Sequence, residues 1–300
     1  MKRRKFIEIS SKIAGAITIL NFPSCMKKDS QFKISLAEWS LHRSIWSKKI
    51  DHLDFAELSM KNFGIDAIEY VNTFFFDKAK NINYLNDMKS RADINGVKSL
   101  LIMCDNEGDL GDPIKENRNK AIENHYKWVE AAKLLGCHSI RVNARSKGSY
   151  DEQIKLAVDG LQRLTEFSSK MDINILVENH GGLSSDGLWL SSVMKEVNHE
   201  MCGTLPDFGN FKIDKNREYD RYKGIQELMP FAKAVSAKSH AFDDNGDEIF
   251  SDYNKILKIV NASGYNGYIG IEYEGSDLDE MDGIQATKNL LNKVLNSMIS

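Results

Sequence analysis

The chain has 300 residues, 42% of them hydrophobic and 28% charged, enough apolar material for one large α/β core or two ordinary ones. A net charge of −3 and a pI of about 6.2 argue against a basic nucleic-acid face. Cys25, Cys104, Cys137 and Cys202 lack C-x-x-C spacing and read as neither a thiolate zinc site nor a disulfide framework.

Residues 1–25 differ in kind from the rest of the chain. "MKRRKF" is a basic region, "IAGAITIL" a short apolar run, and "NFPSC" places Cys25 after small or turn-forming residues. The apolar run is too short to span a bilayer, so it reads as an export signal. The Arg3–Arg4 pair resembles a twin-arginine signal. Cys25 resembles the lipid-modified cysteine of a bacterial lipoprotein, although the residues before it make an imperfect lipobox. The expectation is an exported protein, periplasmic or membrane-anchored through a lipid on Cys25.

From residue 32 onward one pattern repeats: a short apolar strand, a polar loop, an amphipathic helix. Strands are expected over 32–40, 65–71, 97–104, 137–144, 173–180, 201–208, 232–242 and 268–274. Residues 122–136 and 150–170 carry the clearest helical periodicity, and a last helix is expected over about 279–298. Gly64, Gly96, Gly136 and Gly264 fall where helices should stop. Eight such units predict a single-domain α/β (β/α)8 TIM barrel over 32–300. An open doubly wound sheet would be expected to show a Gly-rich phosphate loop after its first strand, and "LAEWSLHRS" has none.

Barrels carry their chemistry at the C-terminal ends of the strands. Ionisable and amide groups collect there: Glu38, Glu69, Arg141, Asn143, Glu178, His180, Asp207, Lys238, His240, Glu272 and Glu274. The fifth strand, "INILVENH", runs apolar residues straight into Glu178 and His180, as a strand entering a polar mouth would. Glu178, Asp207, His240 and Glu272 match the ligand types of one oxygen/nitrogen-bound divalent metal ion, Mn²⁺, Co²⁺, Mg²⁺ or Zn²⁺. Lys238 shares the inward face with His240. Burial and a nearby metal would lower its pKa and make it a base or carbonyl polariser; an ion pair to Glu178 or Glu272 is the alternative. Glu69 and Arg141 are candidate substrate-binding residues. His180 is a candidate substrate contact, or else a donor to Glu178 or a solvated loop residue. Trp39 and the phenylalanines at 74–76 are candidates for an apolar wall over a bound ring. "DDNGDE" (243–248) lacks the spacing of a calcium loop and reads as a solvated turn. Cys104, Cys137 and Cys202 read as small buried side chains.

The strand ends "LVENHG", "LPDFGNF", "AKSHAF" and "IGIEYEG", in that order, resemble the xylose isomerase-like barrel superfamily of sugar isomerases and epimerases, over essentially the whole chain from residue 32. The resemblance implies one divalent metal held by Glu178, Asp207, His240 and Glu272. It also implies that Glu178 and Glu272 act as an acid/base pair on the two faces of the substrate. Asn210 stands where many relatives have a substrate-contacting histidine, and an amide can hydrogen-bond a hydroxyl but cannot shuttle protons near neutral pH. Relatives often form dimers or tetramers, so a homo-oligomer is a further expectation.

The implied reaction is proton abstraction next to the carbonyl of a small sugar or keto-sugar, through a metal-stabilised enediolate. Returning the proton gives an isomer or epimer. Expelling a β-substituent instead makes the enzyme a lyase on 3-keto-glycosides, which an exported protein would meet. A non-catalytic sugar-binding lipoprotein is a reading from another class, though it would not need four metal-ligand types. The fold is also shared with endonucleases acting at abasic sites, which need a multi-metal cluster and a basic DNA face.

Overall fold

The computed structural model describes residues 32–299; the expected export signal and Cys25 lie outside the described residues. The strands are β1 (Lys33–Ala37), β2 (Ala67–Val71), β3 (Lys98–Met103), β4 (Ser139–Val142), β5 (Asn174–Glu178), β6 (Cys202–Leu205), β7 (Val235–Ser239) and β8 (Tyr268–Tyr273). The helices are α1 (His42–Trp46), α2 (Phe55–Phe63), α3 (Ile82–Ile94), α4 (Lys115–Leu135), α5 (Tyr150–Ser168), α6 (Gly187–Val197), α7 (Arg221–Leu228), α8 (Tyr253–Ala262) and α9 (Glu280–Ile299). Every expected strand contains an observed one.

All ladders are parallel, in the order β6-β5-β4-β3-β2-β1-β8-β7. The two edge strands meet through the bridges Thr204–Ala232 and Asp207–Ser236. Lys233 N–H donates to Thr204 O (3.0 Å), Ser236 N–H to Pro206 O (2.9 Å) and Phe208 N–H to Ser236 O (3.0 Å), closing the barrel. Pro206 has no N–H to give a ladder, and the seam here is correspondingly short.

Alternation along each strand divides two cores. Ile175 and Val177 of β5 pack outward with the helices, whereas Leu176 packs inside with Ala37, Val71, Leu101, Met103 and Leu205. Glu178 continues the inward register of Leu176. In β8, Ile269, Ile271 and Tyr273 face the helices and leave Glu272 for the inside. The apolar interior therefore forms a floor, and the carboxylates stand on top of it.

Helix ends follow the chemistry of their residues. Ser149 and Glu152 form a reciprocal capping box at the start of α5. Gly64 and Gly136 end α2 and α4 at φ of 62° and 80°, a conformation that costs glycine no Cβ clash. Cys104, Cys137 and Cys202 are free and buried, as expected. Residues 243–247 close a tight turn through Asp243 N–H to Asp247 O at 2.9 Å.

Gly160 lets α5 lie directly on the loop after β3, since a Cβ there would overlap the carbonyl of Leu110. Gly160→Ala is expected to cost at least about 1–3 kcal/mol in denaturant unfolding, because backbone must move to admit the methyl. A change within about 0.5 kcal/mol, the range of ordinary surface substitutions, would show that the loop yields freely.

Candidate functional site

β5, β6 and β8 bring Glu178, Asp207 and Glu272 together. Each is buried, and each offers a carboxylate oxygen within 4.8 Å of the others, a trio that could hold a metal ion. Glu178 Oε1 accepts from Asn210 Nδ2 at 2.9 Å, and its Oε2 lies 2.8 Å from Arg141 Nε. Arg141 in turn reaches Asp105 Oδ1 at 2.9 Å, which Asn143 Nδ2 also contacts at 2.8 Å. Asp207 Oδ1 accepts the N–H groups of Gly209 and Asn210 at 2.7 and 2.8 Å. The Asn179 side chain clamps the same loop, accepting from Asp207 N–H at 2.7 Å and donating to Asp207 O at 3.0 Å.

Two further residues complete the cluster from β7. Ser236 Oγ lies 2.8 Å from Glu272 Oε2 and 3.1 Å from Asp207 Oδ2. One hydroxyl has a single proton to donate, so the two oxygens share it unless one carboxyl carries a proton itself. Lys238 Nζ lies 3.1 Å from Glu272, 3.3 Å from Glu274 and 3.5 Å from Asp207.

Burial sets the protonation pattern. It pushes Glu178 up to about 7, opposed by Arg141 and assisted by Glu272, and pushes Asp207 up to about 7 against the pull of Lys238. Of the two readings of Lys238, the ion pair to Glu272 is present. Burial alone would lower its pKa, but Asp207, Glu272, Glu274 and Glu178 together hold it well above the ordinary lysine value. Burial would raise Glu274 too, yet Lys238 and Trp39 hold it low.

His240 is not among the donors brought together. β7 ends at Ser239, and His240, one residue on, sits half-buried against Phe250 with its backbone N–H on Glu248, near enough to Glu274 to help hold that carboxyl low. The level of the trio is occupied by Ser236 instead. Asn210 faces Glu178 and holds it in place. Glu69 lies beneath the mouth, buried, bonded to Ser35 Oγ at 2.6 Å, with its other oxygen unpartnered.

Beside the trio opens a cavity of about 330 Å³ whose lining includes Trp39, Trp46, Arg141, His180, Glu272 and Glu274. Trp39 stacks on His42, meets Trp46 edge-on with centroids 5.3 Å apart, and donates from Nε1 to Glu274. Of the three phenylalanines, Phe74 joins this wall, while Phe75 and Phe76 pack toward Trp128. His180 Nδ1 is buried without a partner, and burial plus Arg141 and Lys238 depress the ring to about 4, leaving a neutral imidazole at pH 7. A larger depression, about 550 Å³, lies at the opposite end among His138, Asn174, Lys233 and Tyr265. Its lining has no carboxylate, and it sits at the stability face of the barrel.

Glu69 lends itself to a pH test. Burial raises its carboxyl to about 7, above the ordinary 4.5, so the folded state holds a proton there that the unfolded state releases. Its contribution to stability is present at acid pH and is lost as pH rises from about 4.5 through 7. Glu69→Gln is expected to flatten that fall, stabilising at pH 8 and changing little at pH 4, by urea titration at both values. An unchanged pH slope would show that Glu69 is ionised in the fold.

Ser236, Asn179 and Asp105 escaped sequence reading. Ser236 had a signal, since it lies two residues before Lys238 and therefore shares its face.

Residues 59–294 match the family described as the xylose isomerase-like TIM barrel. The structure resembles that of a D-tagatose 3-epimerase-like protein (TM-score 0.67, 20% identity, 90% of this chain and 100% of that one). It also resembles 3-keto-D-glucoside 4-epimerase YcjR from E. coli (0.62, 16%, 87% and 99%). A third likeness is IOLI protein with a bound zinc atom (0.68, 15%, 89% and 99%). A 65-residue stretch is 37% identical to the C-glycoside deglycosidase alpha subunit of Arthrobacter globiformis, covering 21% of this chain and only 18% of that protein.

Proposed function

This chain belongs to the xylose isomerase-like TIM barrel family, and from that premise we propose that it is a sugar isomerase/epimerase-type enzyme moving a proton beside a sugar carbonyl. The observation that carries the reading is the buried carboxylate trio beside an aromatic-walled cavity, which Glu272 of the trio lines, at the catalytic end of the barrel.

Glu178 and Glu272 reach the cluster from different strands, which suits an acid/base pair addressing one carbon from two sides. A Glu178 value near 7 places it where a group both takes and returns protons at neutral pH. Lys238, fixed as a cation, stabilises negative charge developing on a substrate oxygen. His180, neutral and unpartnered at Nδ1, is placed to bond a substrate hydroxyl, and Trp39 offers a face for the ring.

A divalent ion, Mn²⁺, Co²⁺, Mg²⁺ or Zn²⁺, fits the donor set. Glu178 Oε2 is buried and makes no aligned hydrogen bond despite its ion pair with Arg141, and hard cations take carboxylate oxygens. Glu178, Asp207 and Glu272 would hold it, and it would supply Lewis-acid polarisation of the carbonyl.

A lyase acting on 3-keto-glycosides is the second reading. It is favoured by the exposed Trp46 at the cavity rim, a surface for an aglycone, and by the short match to a C-glycoside deglycosidase subunit. In either case the signal-like residues 1–25 support an exported, periplasmic or lipid-anchored protein.

The test is solvent deuterium incorporation into ketoses and 3-keto-glycosides in D₂O, with and without added Mn²⁺ or Co²⁺. Incorporation with the skeleton intact supports isomerase or epimerase chemistry; released aglycone supports the lyase. Neither outcome from folded protein across the panel would leave a sugar-binding barrel without catalysis.

A further inference from the structure

The trio is already furnished with a cation of its own. Lys238 Nζ has three N–H donors and three carboxylate neighbours, Glu272, Glu274 and Asp207, at 3.1, 3.3 and 3.5 Å. The stem that delivers it is locked. The lysine side chain is 2% exposed, the backbone carbonyl of Lys238 accepts from Tyr253 Oη at 2.9 Å, and Gly209 leaves the room beside Asp207 that the methylenes fill.

Nearly every oxygen of the trio is already committed. Glu272 Oε1 is taken by Lys238 and Oε2 by Ser236; Asp207 Oδ1 is taken by two backbone N–H groups and Oδ2 by Ser236 and Lys238. Glu178 Oε1 is taken by Asn210. Only Glu178 Oε2 lacks a hydrogen bond. A divalent ion binds carboxylate oxygens at about 2.0–2.2 Å, so it would share two carboxylates with an ammonium only a few ångströms away.

We propose that Lys238 is the resident cation of this centre and that a divalent metal enters only by displacing its ammonium from Asp207 and Glu272. This rests on the reading of the trio as the catalytic centre. Two like charges that close in a buried site repel strongly, and the lysine is tethered while the metal is not. The centre therefore rests in an ammonium form and takes metal weakly.

The experiment is Mn²⁺ binding by calorimetry and by electron paramagnetic resonance of the free ion, on EDTA-dialysed wild type, Lys238→Met and Lys238→Gln, with circular dichroism as the fold check. Wild type is expected to retain no stoichiometric metal after dialysis. The neutral variants are expected to bind Mn²⁺ at least about tenfold more tightly, as removal of a neighbouring charge at this range requires. Adding Asp207→Asn to Lys238→Met should abolish that gain. Wild type that keeps one equivalent of metal through dialysis overturns the proposal, a measurement that does not depend on either variant folding. So do variants that bind no more tightly than wild type. Tighter binding in the variants, with no deuterium exchange by wild type on any sugar with or without Mn²⁺, would sink the catalytic reading and leave this one standing.

Discussion

Lys238→Met lowers the stability of the metal-free protein by about 3–5 kcal/mol, the range found when one partner of a buried ion pair is removed. Methionine matches the length and volume of the stem, so packing against Gly209 is kept and the loss is electrostatic. What remains is Asp207, Glu272 and Glu274 sharing a buried space without their cation. Part of the cost is relieved by protonation, since Asp207 already sits near 7 with the lysine in place. The variant is therefore expected to be least stable relative to wild type at alkaline pH and closest to it near pH 5. Adding Mn²⁺ should restore stability to Lys238→Met more than to wild type, because a ligand that binds only the folded state stabilises in proportion to its occupancy. Urea denaturation at pH 5 and 8, with and without Mn²⁺, reads all of this. A penalty below about 1 kcal/mol at pH 8, typical of an exposed pair, would mean that the ammonium is solvated and contributes little.

The barrel was legible because its determinants are local and repeated. The apolar strands, the helical periodicity of 150–170 and the glycines at 64 and 136 each specify their own element, and eight repetitions leave few topologies. Strand ends were legible for the same reason: period two from Leu176 puts Glu178 inside, and that is where it stands. Legibility falls off where a strand stops: β7 ends at Ser239, so period two does not by itself fix the face of His240. Ser236 was overlooked because a serine inside a strand looks like a neutral filler, and only the approach of β6 and β8 gives its hydroxyl two carboxylates to serve. The partners of Lys238 are only partly legible for a related reason: the sequence offers Glu178 or Glu272, and the fold adds Asp207 and Glu274. Desolvation was foreseeable from sequence, whereas the summed field of four carboxylates arriving from β5, β6 and β8 is a property of the closed barrel.

Glu178→Gln and Glu272→Gln are each expected to reduce solvent deuterium incorporation into an accepted substrate by about 10²–10⁴-fold, the usual worth of a general acid or base. Glutamine keeps the shape and the hydrogen-bonding oxygen but cannot accept a proton at neutral pH. The two variants should differ in what remains. Glu178 is held by Asn210 and faces Arg141, so Glu178→Gln leaves a buried guanidinium with Asp105 alone, and a modest loss of stability accompanies the loss of exchange. Glu272→Gln removes one of three partners of Lys238, and Glu274 and Asp207 still hold that cation. The pH profile assigns the roles. If Glu178 is the base, the wild-type exchange rate rises with pH through about 7, where its carboxyl gives up its proton, and levels off above. Arg141→Met should move that rise to higher pH, because the guanidinium is the main influence holding Glu178 down against its burial. A profile unmoved by Arg141→Met would take the base role from Glu178 and pass it to Glu272, whereas full exchange in both glutamine variants would remove carboxylate proton transfer from the reaction altogether.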